Sequence, residues 1–380
     1  MSLEDLKHIT WEKPPKLISL FSGCGGMDWP FKMARFEVIW AIDSNKYACE
    51  TFKRNISPVI THNSIEKIND IKQDVPEEAE LIIGGFPCQD FSLIWKRYGL
   101  DVERGNLYTY FREFVKQKQP KAFVAENVKG LLSANNHQAI KQIIQDFENI
   151  VEPGYLVKPK LYNFADYGVP QFRERVLLVG IRKDTGFNFI HPQPEYGLNR
   201  HPYRTAAEAL KDVEKVRGNN EHHNIHPKTQ ERLAQIKPGG NFSDIPRNSP
   251  LYVKGLISHV YRRLDPNQPS STIIAGGGGG TWGYHYKEPR ALTNRERARL
   301  QTFPDEFIFE GSITEVRRQI GNAVPPEGIA SLVKSLIPLF KGGYRKVDLY
   351  EMSKKLQEMS IQERLKHAEL EVPEESLQLT

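Results

Sequence analysis

The chain has little cysteine. Cys24, Cys49 and Cys88 are the three among 380 residues, too few for a disulfide framework, and none stands in a CxxC or comparable metal-ligand spacing. A reduced, cytosolic protein with no bound metal is expected. Long apolar runs are missing as well: none approaches the roughly 20 residues that a membrane span requires. The opening MSLEDLKHITWEKPPK has no apolar centre and no small-residue cleavage site, so it does not read as a signal peptide, and residues 1–15 are expected to form a short, loosely held leader. No internal repeat is present. Neither sign of charge dominates, with 52 basic against 47 acidic side chains and a net charge of +5, which permits an anionic partner without demanding one. At this length two lobes are expected rather than one.

What is there centres on LIIGGFPCQDFS, residues 81–92. Leu81, Ile82 and Ile83 read as a buried strand. Gly84 and Gly85 allow a tight turn and a close backbone approach, and Pro87 ends regular pairing. Cys88 is thereby presented at the mouth of a strand, where ligands bind in open α/β sheets. It is a candidate nucleophile; a small buried thiol is the competing reading.

Around this stretch strands and helices alternate. Lys16–Phe21 is a first strand running into Ser22-Gly23-Cys24-Gly25-Gly26, with a helix following through Ala34. Phe36–Ile42 is a second strand ending at Asp43, ahead of a helix at Lys46–Arg54. A glycine loop followed by an acid at the second strand end suits a nucleoside-bearing cofactor, without separating NAD from S-adenosylmethionine. A helix from Asn106 to Lys118 leads to a strand at Lys121–Ala125, which delivers Glu126. That carboxyl could work as an acid in an apolar setting or simply cap the next helix. After a helix at 137–149 come QFRER (171–175) and a strand at Val176–Ile181. Arg173 and Arg175 have the spacing to share one side of a strand, or they are solvated. The alternation predicts an α/β fold with a mainly parallel sheet covered on both faces.

Texture changes near Thr185. From there to Arg263 periodicity is weak, twelve basic side chains face seven acidic ones, and Tyr196, Tyr203, Phe242, Tyr252 and Tyr261 are interleaved. Such a segment fits a nucleic-acid reading surface or a loop-rich cap over a small-molecule site. Thr293 should cap a helix over TNRERARLQ, and Ile329–Phe340 is an apolar helix. The tail beyond Lys341 is charged, partly helical over Val347–Glu371.

FSGCGG (21–26), GGFPCQ (84–89), RGNLY (104–108), ENV (126–128), QFRER, RLDPNQPSSTI (263–273), RALTNRERARLQTFPD (290–305) and QIGNAVPP (319–326), in this order, resemble the DNA cytosine-5 methyltransferases of bacterial restriction-modification type. The resemblance covers roughly 16–184 and 263–335. It implies a Rossmann-like, S-adenosylmethionine-dependent methyltransferase sheet with a second, smaller DNA-recognition domain. The expected divisions are 1–184 for catalysis and cofactor, 185–262 for target recognition, 263–340 as a return segment and 341–380 as a tail. It implies methyl transfer from S-adenosylmethionine to a cytosine of double-stranded DNA by a monomer paired with a restriction endonuclease. Phe21, Gly23, Gly25, Asp43, Ser64, Pro87, Leu107 and Asn322 would surround the cofactor. The family's usual bulky residue after the acid is Ser44 here, and its usual Asp near position 64 is replaced by Asn63-Ser64.

By the same resemblance Cys88 would add to carbon 6 of the ring, making carbon 5 nucleophilic. Glu126 would serve ring nitrogen N3, Arg175 the O2 carbonyl, and Arg173 would support it or contact a phosphate. The target base would be flipped out of the duplex, with the loop 90–103 as a lid. An RNA cytosine-5 methyltransferase and a catalytically silent DNA-binding relative are the alternatives.

Overall fold

The computed structural model describes residues 3–75, 78–86, 107–253, 260–276 and 283–370. Its centre is a seven-stranded sheet formed by β1 (Lys16–Leu20), β2 (Glu37–Asp43), β3 (Ile60–His62), β4 (Leu81–Gly84), β5 (Ala122–Val128), β6 (Tyr155–Asn163) and β7 (Glu174–Arg182). The order across the sheet is β3-β2-β1-β4-β5-β7-β6. β1 to β5 pair in parallel, and β7 is inserted antiparallel between β5 and β6. The mainly parallel sheet is therefore present, with two strands the sequence pattern does not announce. β3 is three residues long. β6 reads YLVKPKLYN, and its lysines interrupt the apolar run although both are buried. Lys158 Nζ donates to Asn188 Oδ1 at 2.9 Å and Lys160 Nζ to the Pro192 carbonyl at 3.1 Å, as a buried ammonium requires.

Side chains alternate between two cores because successive strand residues face opposite sides. Leu17, Leu81, Ile83, Val124 and Val179 join one cluster, and Ile18, Leu20, Ile82, Phe123 and Leu178 the other. The first is covered by α2 (Asp28–Met33) and the later α8 (Pro326–Lys341). The second is covered by α4 (Leu107–Lys118) and α5 (Gln138–Glu148), whose Ile140, Ile143, Ile144 and Phe147 recur at helical spacing. α3 (Lys46–Asn55), α6 (Asn294–Leu300) and α7 (Ile313–Asn322) also add buried residues to the first cluster. Thr293 caps α6 as expected, in a reciprocal capping box with Glu296.

Both ends of the described chain differ from expectation. The leader is held down: in α1 (Leu3–Leu6) Leu3 and Leu6 are buried, and Trp11 Nε1 donates to the Ala34 carbonyl at 2.7 Å. The charged tail also packs, as α9 (Leu349–Gln357) and α10 (Ile361–Leu370). Leu349, Leu356 and Ile361 are buried, and Arg364 pairs with the buried Glu148 of α5 at 3.1 Å. Apart from Arg364, the described charges of the tail are exposed, so composition alone conceals the packing.

Residues 185–262 contain short helices, the longest at Pro227–Ala234, and no named strand among the described residues. Leu233, Ile236, Ile245 and Tyr261 form a small core of their own with Tyr284 and Ala291. Arg263 ties it together through the carbonyls of Leu233, Ile236, His285 and Tyr286.

From β1 the chain winds outward to β2 and β3, then returns to β4 on the other side. A crevice opens outside the carboxyl ends of strands where the winding reverses. Because β7 runs antiparallel, it brings its beginning to that same rim, with Arg175 opposite Val128 at the end of β5.

Candidate active site

At the β1–β2 end of the crevice the main chain does most of the shaping. Phe21 leaves β1 at φ +53° and Gly23 follows at φ +55°. Ser22 N–H donates to the Ile42 carbonyl at 3.1 Å, tying the turn to β2. The Asp43 carboxylate receives Gly23 N–H on Oδ2 and Asn45 N–H on Oδ1, both at 2.8 Å. It thus pins two loops together while each oxygen keeps a lone pair for a ligand. Burial raises its pKa against the opposing pull of those amides. Asn63 N–H continues the rim by donating to the Asp43 carbonyl, and its Oδ1 accepts from Ser64 N–H at 3.0 Å.

The β4–β5–β7 end is built from charged side chains. Glu126 and Val128 share a face of β5, so Arg175, opposite Val128, reaches Glu126 diagonally. Arg175 Nε lies 2.8 Å from Glu126 Oε1, with both side chains largely buried. Burial is the largest influence on Glu126 and raises its pKa; the charges of Arg175 and then Arg173 oppose it without cancelling it. A carboxyl so placed holds its proton to a higher pH than an exposed one. Gly84 and Gly85 matter here by what they leave out. A Cβ on Gly84 would stand 2.4 Å from the Leu20 carbonyl oxygen, and one on Gly85 would stand 2.8 Å from Glu126 Oε2. Asn127 Nδ2 donates to the Phe86 carbonyl at 2.9 Å, fixing the backbone that leads into Pro87-Cys88.

A cavity of about 640 Å³ joins the two ends, within the usual range for a small-molecule site. Phe21, Gly23, Asp43, Ser64, Leu107 and Asn322 line it, as do Glu126, Arg173 and Arg175. Gly25 does not. Its φ of +93° and the Ile56 side chain, 2.4 Å from any added Cβ, give that glycine a packing role against α3. Arg173 also has a structural part. It precedes β7, is 1% exposed, and donates to the carbonyls of Ile273 (3.1 Å) and Gly321 (2.9 Å). Burial and the neighbouring Arg175 lower its pKa. Through these two carbonyls it anchors the QIGN turn. Pro87, Cys88 and the loop 90–103 lie outside the described residues.

Sequence reasoning missed Asp28, Asn45 and Arg318, which also line the cavity. Glu315 links the last two, accepting from Asn45 Nδ2 at 3.2 Å and pairing with Arg318 at 3.1 Å. The only available signal was position: each stands within one or two residues of a motif.

The comparisons with known proteins agree with this geometry. Residues 15–338 match the family described as C-5 cytosine-specific DNA methylase. Over 357 residues the chain is 58% identical to the type II methyltransferase M.NgoFVII of Neisseria gonorrhoeae, covering 92% of this chain and 94% of that protein. It is 42% identical over 341 residues to the type II methyltransferase M.BbvI of Brevibacillus brevis, covering 84% and 90%. Among solved structures, an Escherichia coli prophage protein described as a DNA modification methyltransferase aligns with a TM-score of 0.66 at 25% identity, over 86% of this chain and 100% of that one. The S. pombe Dnmt2 methyltransferase aligns with a TM-score of 0.60 at 16% identity, over 86% and 99%, a likeness of fold.

Proposed function

The chain belongs to the C-5 cytosine-specific DNA methylase family, and from that premise we propose how its site works and what it serves. The reaction is transfer of a methyl group from S-adenosylmethionine to carbon 5 of a cytosine in DNA. The residues present suit that cofactor. Gly23 combines a positive φ with open space where a Cβ would project, leaving a cradle at the cavity wall, and Asp43 offers free lone pairs to ribose hydroxyls. Leu107 and Asn322 close the far sides. The cofactor supplies an electrophilic methyl group on a cationic sulfur.

The chain's own part is to make carbon 5 nucleophilic. A flipped cytosine enters between Glu126 and the segment that Asn127 holds. The Cys88 thiolate bonds to carbon 6, and the ring's electron pair moves toward carbon 5. Glu126, whose pKa burial raises, brings a proton to N3 and stabilises the charge developing there. Arg175 receives the O2 carbonyl. Once carbon 5 carries the methyl group, loss of its proton to a base and departure of the Cys88 thiolate restore the aromatic ring. The single observation that carries this reading is the buried Glu126–Arg175 pair at the mouth of the Gly84-Gly85 strand end.

The basic, aromatic-interleaved segment 185–262, with its separate small core, would read the bases flanking the target through the major groove of duplex DNA. The type II relatives support a role as the modification partner of a restriction endonuclease; the protein would act as a monomer. The test uses purified protein, methyl-labelled S-adenosylmethionine, duplex DNAs, RNAs, and an oligonucleotide carrying 5-fluorocytosine, which cannot lose the carbon-5 proton. Labelling of duplex DNA with a trapped adduct that disappears in Cys88→Ala is expected. Labelling of RNA alone would overturn the substrate, and DNA binding without transfer would overturn the mechanism. Light scattering checks the monomer, and protection of the mapped site from cleavage in the source extract checks the pairing.

A further inference from the structure

Phe172 has no part in the chemistry above. It stands directly before Arg173 in QFRER. Successive residues of an extended segment face opposite sides, and Arg173 and Arg175 both line the cavity. Phe172 and Glu174 are thereby left on its outer lip. An exposed apolar side chain on an open surface needs no explanation, but this one is held in place. Its N–H donates to the Ser270 carbonyl at 2.8 Å, and its own carbonyl accepts from Thr272 Oγ1 at 2.7 Å. Tyr203 meets the ring edge-on, with centroids 5.4 Å apart and planes at 84°. Tyr203 is fixed in turn by its hydroxyl, which donates to Asp166 Oδ1 at 2.9 Å. Three separate stretches of chain thus converge to brace one ring that is still 37% exposed. The lip has further apolar surface in Ile274, beyond Thr272, and in the cavity-lining Val128 at the end of β5, 48% and 40% exposed. Both oxygens of Glu174 lie 2.9 Å from Lys129 Nζ, so the acid on this lip is compensated and does not repel a phosphate strand.

A rigid ring outside a pocket that takes up a base has a natural partner. Withdrawing one cytosine from a duplex leaves its neighbours on the same strand with an unstacked face, at a cost of a few kcal/mol. An aromatic side chain recovers part of that cost, and does so for any base, because every base has a π-face. We propose that Phe172 is a stacking platform for the base beside the extruded cytosine on the target strand. This rests on the reading of the cavity as a cytosine site entered by base extrusion. Phe172 is then a positioning residue. It acts on the neighbouring nucleotide and holds the opened strand, while Glu126 and Arg175 hold the cytosine itself. The bracing by Tyr203, Ser270 and Thr272 matters because a ring already fixed loses little freedom when the base arrives.

The experiment pairs steady-state methylation with fluorescence, using the full-length protein and duplexes that carry its mapped target site. The fluorescent base 2-aminopurine, dim when stacked and bright when not, replaces the base on each side of the target cytosine in turn, and in a third duplex the cytosine itself. In Phe172→Ala, kcat/KM for DNA should fall about 5- to 100-fold, the range for losing one base–aromatic stack. Emission from a neighbouring position should be brighter in that variant's complex than in the natural one. Phe172→Trp should restore both the rate and the quenching, and Phe172→Leu, apolar but without a π-face, should restore neither. Affinity for S-adenosylhomocysteine should be the same in all four proteins, which certifies their folding. Unchanged kcat/KM and emission in Phe172→Ala would overturn the platform, and so would Phe172→Leu matching the natural protein in both readouts. Loss of S-adenosylhomocysteine binding in Phe172→Ala and Phe172→Leu alike would also overturn it, by showing that the ring merely holds the fold. If 2-aminopurine at the target position stays dim with the natural protein, and no methyl is transferred, the extrusion reading falls and the platform with it.

Discussion

The two ends of the cavity are held by different means. At the β1–β2 end the shape comes from the main chain: two amides on the Asp43 carboxylate, positive φ at Phe21 and Gly23, and a turn tied to the β2 carbonyl at Ile42. At the β5–β7 end it comes from interacting side chains, with Glu126 against Arg175 and Arg173 bracing the turn behind them. Main-chain shape tolerates many side chains so long as the backbone can adopt it. A buried hydrogen-bonded pair tolerates few, because removing one partner leaves the other unsatisfied. The difference teaches that binding and chemistry can be separated by mutation within a single pocket.

The strongest attempt to break that separation is Glu126→Gln. It should lower the rate of methyl transfer by about 10²- to 10⁴-fold, the usual worth of a positioned proton donor, while S-adenosylhomocysteine affinity by calorimetry stays unchanged. Loss of cofactor binding in the same variant would show that the two ends are not independent. Gly85→Ala comes next. Its Cβ would press on Glu126 Oε2, and displacement of a catalytic group by a fraction of an ångström should cost roughly 10- to 100-fold in rate, again with binding retained. Arg173→Met removes the donors to Ile273 and Gly321. Because Gly321 adjoins the cofactor-lining Asn322 and Arg173 adjoins the catalytic pair, this variant alone should impair both ends. Its melting temperature should fall by several degrees, for a loss of about 2–3 kcal/mol from two buried carbonyls.

The smallest effect sharpens the comparison through pH. The Asp28 carboxyl is raised in the folded chain from its ordinary 3.8 to about 7. Between those values the folded state holds a proton that the unfolded state has released, so stability of the ligand-free protein should decline as pH rises through that window. Below it the contribution is fully present. Asp28→Asn should flatten the decline, so that its melting temperature exceeds that of the natural protein at pH 8 by a few degrees, roughly, and matches it at pH 4. Ser19, Cys24 and Asp43 face the same group, and charge on Asp43 adds to the rise. Identical melting curves at pH 8 would refute this account of the wall.

Much of the site could be read from the chain because strand ends announce themselves. An apolar run followed by an acid placed Asp43 and Glu126 at the rim, and the sheet delivered both there. That Glu126 would touch Arg175 was not legible, since it depends on β7 entering antiparallel beside β5, a pairing between residues far apart in sequence. Gly85 was legible as necessary, and the structure adds a second reason: besides lining the cavity it makes room for the Glu126 carboxylate. Asp28 was missed because an acid in the first turn of a helix is ordinary, and nothing in the sequence says that its oxygen will be sealed in. The leader and tail were misjudged because their few apolar residues gain meaning only from the surfaces they cover.

One of those surfaces bears on how the protein is made. β6 forms an edge of the sheet, and α10 lies against it, locked by Arg364 on Glu148. An open edge is a template for pairing with another chain. During synthesis, at roughly 5–20 residues per second, β6 is laid down well before its cover arrives. The nascent chain therefore passes through an interval of many seconds with a completed sheet and a bare edge. Translation stalls or truncations that remove α10 should consequently show themselves first as aggregation in the cell, ahead of any defect in methylation.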